Sequence, residues 1–218
     1  MKEHFCKELR TLLNTLCAQA AQVEQLIRRA EEAAESGNKA AADAIIAGDS
    51  VIDTEEIRIE EEGLKILALY QPVATDLRTV IAYLKINTAL ERMADFGVHI
   101  AERAEALASA TTGESIDFSR MSALARQMLR QAMEVLRNND TVLAHKVLRQ
   151  DDEVDRLHRG VLDLVRRELS LHPDSAAYYL ACSGVSRDLE RIADLASDIC
   201  LHIIYLCTGN IVRHHSAH

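Results

Sequence analysis

From Phe5 the apolar residues fall at Leu9, Leu12, Leu16, Ala20, Val23, Ile27 and Ala30, in steps of three and four. That spacing lays one apolar stripe along a helix of 3.6 residues per turn and does not suit a strand, whose side chains alternate with period two. The run stops at Ser36-Gly37-Asn38, and five further segments follow the same plan. They span about 38–69, with a kink expected near Gly48, about 75–110, 117–137, 141–171 and 175–207. Thr75 or Asp76 is the expected N-cap of the third segment. The chain has only two prolines, Pro72 and Pro173, and both sit between segments, where a proline ends a helix without breaking its interior. With no Trp and only eight Gly in 218 residues, the expected class is all-α.

The two halves are copies of one design. Asp49 and Asp53 recur as Asp151 and Asp155, 102 residues on; Pro72 recurs as Pro173, 101 on; Glu91 and Asp95 recur as Glu190 and Asp194, 99 on. Nearly constant offsets across three landmarks mark an internal duplication. Connections of a few residues force successive helices to run antiparallel, so each half is expected to form an up-down-up three-helix bundle. The expected boundaries are 1–112 and 113–218.

The four repeated acidic pairs are the chemistry the chain carries. Carboxylates at i and i+4 share a helix face and repel, at a cost of roughly 0.2–0.5 kcal/mol per pair. Asp49/Asp53 and Glu91/Asp95 lie on consecutive antiparallel segments, as do Asp151/Asp155 and Glu190/Asp194, so each half brings four acids toward one volume. A cation converts that repulsion into coordination, and carboxylates on facing helices are how helical bundles hold multinuclear iron or manganese. Oxygen donors favour hard ions, Mg²⁺, Mn²⁺, Ca²⁺ or Fe³⁺; His99, four residues beyond Asp95, keeps zinc open. His99 and its counterpart Asp198 are therefore candidate additional ligands. The competing reading is a solvated acidic face, softened by Arg92 and Arg191, which follow the two glutamates.

Other chemistries lack their motifs. Asp155-x-x-His158 is alone where a di-iron oxidase needs Glu-x-x-His twice, and there is no glycine-rich phosphate loop, no Gly-x-Ser-x-Gly elbow and no His-Glu-x-x-His. No catalytic residue or organic cofactor is assigned, and a non-enzyme is expected. The net charge of −9 argues against nucleic acid and anionic membrane as partners. Five scattered cysteines without a C-x-x-C pair read as reduced and structural, and the charged start MKEHFCKELR is no signal peptide, so a cytoplasmic location is expected. The terminal RHHSAH reads as a frayed histidine-rich end.

The segment YQPVATDLRTVIAYLKINTALERMADFGVHIAE resembles the signature region of the PhoU family of phosphate-uptake regulators, and SRDLERIADLASDIC resembles its second-repeat counterpart. The resemblance spans essentially the whole chain. It implies two PhoU three-helix bundles, with metal clusters on the E/D-x-x-x-D motifs Glu91/Asp95 and Glu190/Asp194, supported by Asp49/Asp53 and Asp151/Asp155. It also implies a negative regulator that couples the ATPase subunit of a phosphate ABC transporter to a phosphate sensor histidine kinase. Contact with the membrane would come only through these partners, and homodimerisation is expected. A metal-storage or buffering protein is the alternative. His99 and Asp198 stand where such proteins often carry Asn. Asp76 and Arg78, in a DLR triplet without a counterpart after Pro173, are either a helix cap and a surface cation or an interaction site.

Overall fold

The computed structural model describes residues 2–109 and 112–209; the histidine-rich end and the expected helix end at Ala110 lie outside them. Eight α-helices follow one another among the described residues: α1 (Lys2–Ser36), α2 (Lys39–Gly48), α3 (Ser50–Tyr70), α4 (Ala74–Glu102), the single turn α5 (Ala104–Leu107), α6 (Ser119–Asn138), α7 (Thr141–Leu171) and α8 (Ala176–Thr208). There is no strand among the described residues. α1, α2–α3 and α4 form one three-helix bundle, and α6, α7 and α8 form the second, as the duplication predicts.

The expected kink is a break. The Asp49 N–H bonds to Ile46 O, three residues back rather than four, and α3 starts one residue later. Asn38 caps α2 by accepting from the Ala41 N–H at 3.1 Å.

The expectation that Thr75 or Asp76 caps α4 is corrected. Gln71 and Ala74, at φ 46° and 51°, swing the chain sharply about Pro72, and the first hydrogen bond of the helix runs from the Leu77 N–H to Val73 O, so the N-cap is Val73. Thr75 Oγ1 instead accepts from Arg78. α4 also ends earlier than its apolar pattern, at Glu102, where the Arg103 N–H bonds Ile100 O, three residues back, and its side chain donates to the His99 carbonyl.

Asp140 caps α7 from one oxygen, accepting from Val142 N–H at 3.0 Å and Leu143 N–H at 2.9 Å. Asp140→Ala should therefore lower stability by about 1 kcal/mol, read as an earlier urea midpoint with unchanged slope.

The bundles share one core. α4 packs on α8 and α1 on α6, and the buried apolar residues form a single cluster running from Phe5 to Ile204. Gly63 lets α3 close on α4, since a Cβ there would meet Leu84 Cδ2 at 2.5 Å, and Gly97 lets α4 close on Leu26 of α1. Arg103 crosses the seam to a buried Asp188 at 2.6 Å. All five cysteines are unpaired, and burial pushes the Cys182 and Cys200 thiols up to about 11 and about 12, so both stay protonated. No helix among the described residues is long and apolar enough to cross a membrane.

Candidate metal centre

In the second bundle α7 and α8 bring three of the expected acids together: Asp155, Glu190 and Asp194 each offer an oxygen within 4.8 Å of the others. Asp151, one turn before Asp155, stands behind them. Burial, followed by the neighbouring Asp155, Asp152 and Glu190, pushes its carboxyl up to about 6, against a lowering influence from Ser197. Asp194 is pushed up to about 7 by partial burial and then by Glu190, Asp151, Asp155 and Asp198.

In the first bundle Asp53 on α3, Asp49 just ahead of it, and Glu91 and Asp95 on α4 lie within electrostatic reach of one another. Burial raises the Asp49 carboxyl, Asp53 and Asp95 raise it further, and His99 opposes them. Burial also raises Glu91, followed by Asp95, Glu56, Asp53 and Asp49. The four therefore feel one another. No trio of oxygens in this bundle closes to the distance seen in the second, among the described residues.

Glu56 is a fifth acid, which the offset between the repeats does not pick out. It lies three residues after Asp53, on the same face of α3, and that spacing is its one signal in the sequence. Its counterpart, 102 residues on, is His158, whose Nδ1 lies 2.7 Å from Ser186 Oγ.

The arginines do not soften these centres. Arg191 sits 5.8 Å above the Phe96 ring and adds to the cations that oppose the burial raising the Asp188 carboxyl, while Arg92 is exposed without an ion pair among the described residues. After burial, the main influences on Glu91 and Asp194 are neighbouring carboxylates. His99 is exposed, near Phe96 at 6.0 Å between ring centroids, and its field reaches both Asp49 and Asp188. Asp198, also exposed, faces Asp194 on one side and His202 on the other. Asp76 is exposed in the first turn of α4, away from both centres, and Arg78 is held to Thr75 with its Nε buried and unpaired.

One feature sets these centres apart from an acidic surface. Asp49 occupies the N-cap position of α3, where an aspartate ordinarily accepts a backbone N–H, yet it makes no capping bond and its Oδ1 is buried without a partner. The equivalent atom, Asp151 Oδ1, is likewise buried, and its one neighbouring donor is Ser197 Oγ, which lowers the carboxyl but lies outside good hydrogen-bond geometry. An unpaired buried acceptor costs about 1–3 kcal/mol, a cost that a ligand supplying positive charge beside Asp49 and Asp151 would remove. An all-oxygen donor set beside orphaned carboxylate oxygens fits a hard cation.

The PhoU domain profile matches this chain twice, at residues 17–104 and 118–203, each match enclosing one acidic centre. The chain belongs to the PhoU family. It is 36% identical over 213 residues to the phosphate-specific transport system accessory protein PhoU homolog of Aquifex aeolicus, covering 95% of each chain. The Deinococcus radiodurans homolog of the same name is 32% identical over 215 residues, covering 96% of this chain and 99% of that one. Among solved structures, PhoU from Pseudomonas aeruginosa superposes with a TM-score of 0.89 at 29% identity, covering 94% of this chain and 100% of that one. The phosphate transport system regulatory protein PhoU from Streptococcus pneumoniae gives 0.87 at 27%, covering 96% and 100%. The two PhoU repeats thus coincide with the duplication read from Asp49/Asp151, Pro72/Pro173 and Glu91/Glu190.

Proposed function

We propose that this PhoU protein is a cytoplasmic negative regulator of phosphate uptake and phosphate-starvation signalling. It acts as a metal-binding adaptor between the ATPase subunit of a phosphate ABC transporter and a phosphate sensor histidine kinase. The observation that carries the reading is full-length similarity to phosphate-specific transport accessory proteins, with an acidic centre in each repeat. Asp49, Asp53, Glu91 and Asp95 would hold a cation or small cluster in the first repeat, with His99 beside them. Asp151, Asp155, Glu190 and Asp194 would do so in the second, with Asp198 beside them. Iron and Mg²⁺, Mn²⁺, Ca²⁺ or Zn²⁺ all remain candidates. When bound, such a cation supplies positive charge that fastens α3 to α4 and α7 to α8, presenting a rigid face to partners. Homodimerisation and contact with the membrane only through the transporter complete the proposal.

A storage protein needs an enclosed cavity. Here the acids lie on partly exposed helix faces, Asp53 and Asp194 being open to solvent, which favours the adaptor.

The test is a strain lacking the gene, carrying a phosphate-starvation reporter. The reporter should be active in phosphate-rich medium without the protein and silenced when the wild type is restored. Asp95→Asn combined with Asp194→Asn should leave it active while the protein still accumulates. A reporter indifferent to the gene would remove the regulatory reading, and a large excess of metal ions per purified chain would favour storage.

A further inference from the structure

Outside the acidic centres, a cavity of about 460 Å³ lies at the seam between the repeats. Its walls come from the C-terminal part of α1, the ends of α4 and α5, the linker 115–118, the start of α6 and α8. Both repeats and the linker are needed to enclose it.

The lining divides into two kinds of surface. The floor is apolar, with Ile100, Leu107, Ile116, Val185 and Leu189. Three carboxylates, Glu31, Glu35 and Asp117, stand at its edge, and no lysine, arginine or histidine lines it among the described residues. The Glu31 residue is only 8% exposed, and its side chain is fixed from behind: Ser122 Oγ donates to Oε2 at 2.5 Å and Arg126 lies 3.5 Å from the same oxygen. Glu35, one turn on and exposed, has no ion pair among the described residues. Asp117 accepts the Ser119 N–H at 2.8 Å, which orients its carboxylate at the entrance of α6.

The linker wall is held as well. Tyr178 OH accepts from Ile116 N–H at 3.0 Å, and Tyr179 OH donates to Glu114 O at 3.1 Å. The chamber is thus a built feature, pinned on three sides.

We infer that this cavity binds a small organic cation with an apolar body, an aryl-alkyl or alkyl ammonium. The apolar floor rewards burial of hydrocarbon, while the carboxylate edge rewards a positive head and repels phosphate and other anions. The volume suits a ligand at the small end of the usual pocket range of roughly 300–1,000 Å³. Because the walls belong to both repeats, an occupant braces α1 and α4 against α8 and the linker. The site shares no residue with either acidic centre.

Isothermal titration of the full chain with phenethylammonium, 2-phenylethanol and 3-phenylpropionate tests this, with saturation-transfer NMR locating the contact. The ammonium should bind roughly five-fold or more tighter than the neutral alcohol, a ratio equivalent to about 1 kcal/mol, and the propionate should not bind. Raising the salt from about 20 to 300 mM should weaken the ammonium, because the edge carboxylates are partly exposed. Glu35→Gln with Asp117→Asn should reduce its affinity to that of the alcohol. Val185→Phe, which fills the floor, should abolish binding of both while helicity is retained. Asp194→Asn should leave binding unchanged.

Equal affinity for alcohol and ammonium, retention of binding in Val185→Phe, or loss in Asp194→Asn would each overturn the assignment. So would no detectable binding of any probe.

Discussion

Metal-free protein should melt at a lower temperature at pH 8 than at pH 5.5. Asp194 and Asp151 are held up at about 7 and about 6, against 3.8 for an ordinary aspartate. Between those limits the folded state retains protons that the unfolded chain has released. Stability from these groups is thus fully present below about 4 and is lost as pH rises through 6 and 7. A tenfold difference in proton affinity is worth about 1.4 kcal/mol, so between pH 5.5 and 8 the two groups together give up about 3 kcal/mol. Asp194 meets solvent and Asp151 is only partly buried, so we halve this to roughly 1.5 kcal/mol. For a chain of this size that is on the order of 3–6 °C. The groups that act most on Asp194 are acids, Glu190, Asp151, Asp155 and Asp198, all of the same sign. His202 works the other way, because burial and then Lys85 hold its imidazole below the ordinary value and the unfolded chain takes up a proton at pH 5.5 that the folded one resists; the two aspartates outweigh this single group.

Added Mn²⁺ should reverse it. A cation binds the deprotonated carboxylates, so its stabilisation should be large at pH 8 and small at pH 5.5. Asp194→Asn should melt higher than wild type at pH 8 without metal and lower with it. Calorimetric melts at the two pH values, with Mn²⁺ and with chelator, decide the matter. A wild-type melting point independent of both pH and cation would refute the reading of this centre.

Arg103→Met should be the most destabilising single change at the seam, costing about 3 kcal/mol at pH 8 in urea unfolding. The guanidinium lies 2.6 Å from Asp188, whose side chain is only 7% exposed, so removing it strands a buried charge. His99 and Arg191 also face Asp188 and compensate part of the loss. Burial already raises the Asp188 carboxyl in spite of these cations, so in the variant it should protonate readily, and the deficit should shrink as pH falls toward 5. The double variant Arg103→Met with Asp188→Leu should recover most of the loss, because two apolar groups leave no unpaired charge. If the single variant unfolds with the wild type, the pair does not hold the repeats together. Gly184 belongs to the same arrangement, since a Cβ there would collide with the Arg103 guanidinium.

The helices were legible from residue spacing because the apolar stripe is a local property, set over ten to fifteen residues by the pitch of the helix. Segment 141–171 emerged with the predicted ends because Asp140 caps it by an ordinary side-chain mechanism. The start of α4 was missed because its boundary is set by left-handed Gln71 and Ala74, residues whose identity does not announce that conformation. The duplication and the eight acids at matched positions were likewise readable, since both are statements about order along the chain. Glu56 escaped because its partner in the second repeat is His158, so the offset rule that found the others passed over it.

Convergence is a different kind of fact. Whether carboxylates on two helices meet depends on the rotation and separation of those helices, and a small change in either separates the closed trio Asp155, Glu190 and Asp194 from the looser set around Glu91. In the first bundle the approach of α3 to α4 depends on contacts such as Leu84 at Gly63, which no periodicity contains. The merger of two bundles into one core, the Arg103–Asp188 pair 85 residues apart and the cavity between the repeats arise the same way. The order of residues prescribes which faces must be buried; only the packed chain decides which face meets which, because apolar contact is non-directional and close packing selects among the arrangements it allows.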